Sequence, residues 1–112
     1  MPSAAIAYNS DLALHNIATY KSGKSKAEEC VPEDLTVGEE YSFLKKGHRN
    51  YQIDSIVTLL EMKPDDILFN FRALVEIKAT EYLIEDKQSY TSGRYKVQEL
   101  LESSSIYHIP TN

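Results

Sequence analysis

Three histidines (His15, His48 and His108), one cysteine (Cys30) and a few adjacent carboxylate pairs are the side chains with which this chain could do chemistry. Protein-held zinc asks for Cys and His at short, regular spacings. Here no two histidines stand at i, i+4 and none has the cysteine beside it. A nucleophilic cysteine needs a partner that favours its thiolate. Cys30 instead follows Glu28-Glu29 and precedes Val31-Pro32, acids that oppose thiolate formation. The pairs Glu28-Glu29, Glu39-Glu40 and Asp65-Asp66 are contiguous, so their carboxylates point apart, whereas two-carboxylate catalysis needs facing groups in unlike environments. Ser22-Gly23-Lys24-Ser25 contains the Gly-Lys-Ser tail of a phosphate-binding loop, but the position five residues before Gly23 is Ala18 where that loop needs glycine, and no strand leads into it. The expectation is a protein that is not an enzyme and holds neither cofactor nor metal.

The charged clusters suggest binding instead. Between Glu28 and Glu40 stand six acids and no base: Glu28, Glu29, Glu33, Asp34, Glu39 and Glu40. Such a stretch can dock on a basic partner or simply protect a sheet edge from aggregation. Lys45-Lys46-Gly47-His48-Arg49 follows, flanked by Tyr41, Phe43 and Tyr51, and cations beside aromatics can hold a nucleic-acid backbone while stacking bases. A net charge of −5 and an acidic pI near 5.1 argue against broad binding to nucleic acid.

These residues need a scaffold, and 112 residues set the expectation of one domain, able to bury roughly 65% of its unfolded surface. The single cysteine rules out an internal disulfide. The first residues lack a basic and apolar leader, and no apolar run reaches membrane-spanning length, so a cytoplasmic protein without membrane contact is expected.

The longest pattern is Ile67 to Ile77, where Ile67, Phe69, Phe71, Ala73, Val75 and Ile77 alternate with Leu68, Asn70, Arg72, Leu74 and Glu76. A period of two predicts a strand with the odd residues in the core, worth on the order of 10 kcal/mol before entropy, and with Leu68, Asn70, Arg72, Leu74, Glu76 and Lys78 on the outer face. In residues 51–63, Tyr51, Ile53, Val57 and Leu59 fit a strand while Ile53, Ile56, Val57 and Leu60 fit a helix stripe; the abundance of Tyr, Ile, Val and Thr favours the strand, which would turn through 63–66 into the Ile67 to Ile77 strand. Residues 35–43 are read as a strand bent at Gly38, 80–86 as a short strand, and 105–109 as a final edge strand. Ser10-Asp11 is expected to cap a short helix carrying Leu14, Ile17 and Ala18, with an irregular strand as the alternative. Residues 21–29 are expected to be a flexible loop, 88–93 a loop, and 94–102 to suit a helical turn as well as a strand.

The sum is an α+β, β-rich domain: a small, mostly antiparallel twisted sheet or partly closed SH3/OB-like barrel with one or two short helices. The leading functional expectation is a protein-binding module, an adaptor, inhibitor or small subunit such as an accessory protein of a virus or mobile element. It would act through Arg72, Glu76, Leu68 and Leu74 of the strand face with Glu33, Asp34, Glu39 and Glu40 of the acidic segment. A homo-oligomer is compatible with the same surface. The alternatives are a nucleic-acid-binding barrel using Lys45, Lys46, Arg49 and Tyr51, and a ligand binder or enzyme with a site assembled from His48, His108 or tyrosines.

Overall fold

The computed structural model describes residues 7–63 and 69–101, together with the backbone of Ile106 and Tyr107. Its elements are β1 (Asp11–His15), α1 (Ile17–Lys21), a 3-10 turn (Ala27–Glu29), β2 (Glu40–Lys46), β3 (Ile56–Met62), β4 (Phe69–Glu85), β5 (Gln88–Leu100) and β6 (Ile106–Tyr107). The fold is small, β-rich and built on one mixed, open sheet. Strands run in the order β1-β3-β4-β5-β2, with β6 beside the start of β4. Every pairing is antiparallel except β1 with β3. The sheet curls until its edge strands β1 and β2 face each other across a seam, where the Lys45 ammonium of β2 donates to the Ala13 carbonyl of β1. No ladder joins these two strands among the described residues.

Alternation within each strand fills the inner face. Leu12 and Leu14 come from β1, Phe43 from β2, Val57 and Leu59 from β3, Ala73, Val75 and Ile77 from β4, and Tyr95 and Val97 from β5. Val31 and Tyr51 complete this core from the connections. The Phe43 and Tyr51 rings meet edge-on with centroids 5.7 Å apart, a favourable aromatic geometry.

Strand β4 departs from the simple alternation. Leu59 pairs with Ala73 but Leu60 pairs with Phe71, so Arg72 is an extra residue in a bulge. A bulge reverses which face the following residues meet. Phe69 and Phe71 therefore pair with Met62 and Leu60 on the outer face and stay outside the core, while Asn70 faces inward opposite Glu61. Burial of the whole odd series does not hold; Ala73, Val75 and Ile77 carry the inner face, and Ile67 lies outside the described residues.

Local chemistry explains the other differences. Residues 11–15 are a strand rather than a helix start, because Asn16 is the cap of α1: its side chain accepts from the Ala18 N–H at 2.8 Å. The 21–29 stretch ends α1 and forms the 3-10 turn, held by hydroxyl contact of Thr19 with Ser25 at 2.7 Å and of both with the buried Cys30 thiol. Residues 80–86 belong to β4, and 88–93 with 94–100 form one strand, β5. Asp86 and Lys87, at φ 51° and 66°, make the two-residue turn between them. Strand β2 begins only at Glu40, beyond the turn at Gly38 (φ 90°), and leaves Val37 exposed.

Candidate functional site

The outer face of the sheet is where two groups expected to form the site meet. One row across the sheet reads Glu40–Lys96–Glu76–Ile56, from β2 through β5 and β4 to β3. Glu40 and Glu76, far apart in sequence, thus flank one lysine. Glu76 also accepts from the Gln98 side-chain amide at 3.1 Å and lies 3.7 Å from Lys78, while Arg94 reaches Glu40 at 3.8 Å. Leu74 is half-buried on the same face, opposite Thr58. Leu68 lies outside the described residues.

Arg72 does not join this face. The bulge turns it inward, where its guanidinium donates to Glu61 at 2.6 Å. The Glu61 side chain is 8% exposed and receives a second hydrogen bond from the Asn16 amide. Arg72 therefore neutralises a buried carboxylate and stands near the phenol of Tyr95, whose pKa is pushed well up, chiefly by burial. The acidic segment is likewise divided. Glu33 pairs with Lys21 at 3.2 Å, Asp34 lies in the exposed connection where its carbonyl accepts from the Tyr41 hydroxyl, and Glu39 gives its carbonyl to the Val97 N–H at 3.0 Å. Of the four acids, Glu40 alone is placed with Glu76.

Further along the same outer face, β2, β5 and β4 enclose a groove of about 580 Å3. The groove exists because outward positions carry small residues: Ser42 on β2, Ser92 on β5 and Ala79 on β4. Leu44 and Leu83 give it apolar walls. At Gly93 the strands approach so closely that an added Cβ would stand 2.0 Å from the Ala79 carbonyl and 2.8 Å from the Phe43 ring. One end is closed by Lys26, which is ion-paired with Glu85 and lies 5.3 Å from the centroid of the Tyr90 ring. Glu28 and Glu81 complete the rim, and neither has an ion-pair partner among the described residues. Sequence reading missed this groove because its signal is a set of small residues that share a face only once the register is known.

The basic cluster is gathered elsewhere, at the seam. Lys45, Lys46 and Arg49 line a pocket of about 170 Å3 with His15 and Glu29. Burial, reinforced by the charge of Arg49, lowers the Lys45 pKa to about 8. Tyr51 takes no part: it is buried in the core, which pushes its phenol up to about 12, and it presents no free ring to a base. His48 stacks edge-on against Tyr82, centroids 3.8 Å apart, and His108 lies outside the described residues. Among the described residues no three His, Cys, Asp or Glu side chains converge as a metal-binding group. No helix among them is long and apolar enough to cross a membrane.

No family model, curated protein or solved structure matches the chain.

Proposed function

We propose that this chain is a non-enzymatic protein-binding module whose outer groove takes an extended segment of a partner, an apolar side chain flanked by lysine or arginine. One observation carries this reading: the groove has apolar walls, small residues at its base and, at its rim, two carboxylates, Glu28 and Glu81, without an ion-pair partner among the described residues. Its volume lies within the 300–1,000 Å3 or so typical of ligand pockets, enough for one large side chain with its neighbouring backbone. The lining carries Glu28, Glu81 and Glu85 against Lys26 and Arg94, and this net negative balance around an apolar centre favours a cationic partner over an acidic one. The Glu40–Lys96–Glu76 row extends the same face, so a longer partner would run from the groove across alternating charge.

Selection from a library of displayed random peptides tests this. The expected consensus is one apolar residue beside Lys or Arg, with affinity that falls as salt rises. Ser92→Trp fills the base of the groove and should abolish binding of the selected peptide in fluorescence anisotropy. Glu81→Lys should weaken it about tenfold. A library that yields no consensus, or a peptide that binds Ser92→Trp as well as the parent, overturns the reading.

A further inference from the structure

The pocket at the seam has a charge arrangement that the groove does not explain. Lys45, Lys46 and Arg49 have no acidic ion-pair partner among the described residues, in a chain whose net charge is −5. The backbone places them deliberately close. Gly47, at φ 91°, turns the chain after β2; the buried Thr91 hydroxyl donates to the Gly47 carbonyl and accepts from the Arg49 N–H at 2.8 Å. The Arg49 Nε then donates to the Lys46 carbonyl at 3.2 Å, which orients the guanidinium, and its two terminal nitrogens have no hydrogen-bond partner among the described residues. Lys45 is drawn inward across the seam to the Ala13 carbonyl. Facing these cations are His15 and Glu29 in the pocket, with Asp11 of β1 close enough to act on Lys45. Glu29 spends one carboxylate oxygen on the Lys26 N–H at 2.8 Å.

We propose that this pocket is an anion site that takes the doubly charged head of a phosphate monoester. Three cations face the carboxylate of Glu29 in the lining and that of Asp11 on β1, which leaves the pocket net positive, and a dianion with three acceptor oxygens engages such a cluster more fully than a singly charged phosphodiester. Its size, about 170 Å3, falls below that of pockets for whole drug-sized ligands and suits a head group whose remainder stays outside. A polynucleotide would need cations repeated along a track, and here the three line a single small pocket on an acidic protein. Arginine and lysine together supply the planar fork and the mobile point charge with which proteins hold phosphate. A bound dianion also relieves the repulsion between Lys45 and Arg49, so it should restore the proton that Lys45 gives up above pH 8.

Calorimetric titration of the full chain tests this with three probes: inorganic phosphate, phenyl phosphate, and a single-stranded oligonucleotide without terminal phosphates. The first two should bind one per chain and compete with each other, and the oligonucleotide should not bind. At pH 8.5 the heat should depend on the buffer's ionisation enthalpy in the sense of proton uptake. Lys46→Gln and Arg49→Gln should each weaken phenyl phosphate about tenfold or more with an unchanged melting temperature. Lys45→Met also removes the link to Ala13, so the two neighbours carry the test if it fails to fold. Ser92→Trp should leave phosphate binding intact, which separates this site from the groove. Three results each overturn the proposal: no saturable phosphate binding, binding indifferent to Lys46→Gln and Arg49→Gln, and an oligonucleotide that binds where phenyl phosphate does not.

Discussion

Arg72→Ala distinguishes a residue that serves an interface from one that serves the fold. On an exposed strand face the substitution would change stability by less than about 0.5 kcal/mol. The structure places Arg72, 22% exposed, against a Glu61 side chain that is 8% exposed. Removing one partner of a buried ion pair costs about 3–5 kcal/mol, because the remaining charge is left uncompensated. Two features reduce that figure: Arg72 is partly hydrated, and Glu61 keeps the Asn16 amide as a donor. The expected loss is therefore about 2–3 kcal/mol. Urea unfolding followed by tyrosine fluorescence and circular dichroism measures it directly, since the chain has eight tyrosines and no tryptophan. At this chain length the same loss lowers the melting temperature by roughly 10–15 °C. Adding Glu61→Gln to Arg72→Ala removes the stranded charge and should recover about half of the loss. An Arg72→Ala protein within about 0.5 kcal/mol of the parent would show that the pair is solvated and that the bulge does not turn Arg72 inward.

Three further outcomes follow from particular residues. Gly93→Ala should destabilise by about 3 kcal/mol or more, because its Cβ meets the Ala79 carbonyl at 2.0 Å and backbone cannot step aside as a flexible side chain can; Gly38→Ala, with open space but φ +90°, should cost only about 1 kcal/mol in the same thermal melt. Stability in phosphate-free buffer should rise between pH 8 and 10, by at most about 2 kcal/mol, because the unfolded chain binds the Lys45 proton up to an ordinary lysine's 10.5 while the folded chain releases it near 8. Above pH 10 the trend should reverse, since the folded chain keeps the Tyr51 phenol protonated to about 12 while the unfolded chain does not; urea midpoints across this range that fall steadily would contradict the Lys45 environment. Lys87→Gly should raise the unfolding free energy by about 0.5–1 kcal/mol, read as a higher urea midpoint, because Lys87 holds φ 66° in the hairpin turn at a cost that glycine avoids.

The inner positions of β3 and the middle of β4 were legible because Val57, Leu59, Ala73, Val75 and Ile77 obey a period of two and face a dry core. What alternation could not reveal was its own interruption. The odd residues from Ile67 to Ile77 look uniform, yet the pairing of Arg72 with Glu61 selects a bulge that sends Phe69 and Phe71 outward. That choice depends on a charge in another strand, which no local pattern contains. Strand β5 was obscured by Gly93, which leaves a gap in an inward series that otherwise reads Thr91, Tyr95, Val97. Among candidate site residues, Lys45, Lys46 and Arg49 were visible because they adjoin in sequence and stay together in space. The groove was not, since Ser42, Ala79 and Ser92 become neighbours only through two strand pairings.

The parallel pairing of β1 with β3 also makes that edge of the sheet the slower one to close. β4 and β5 close through a two-residue turn and can form early, as local antiparallel hairpins do. β1 pairs with β3 only by closing the long loop between Asp11 and its partner Thr58, which holds α1, the 3-10 turn and β2 and costs more entropy than the hairpin turn. Until then the outer edge of β3, with Ile56, Val57, Leu59 and Leu60 along it, offers unpaired backbone to any other strand. Refolding at high protein concentration therefore sets docking of the chain's own first strand against capture of that edge by a second molecule, and yield should fall with concentration for that reason.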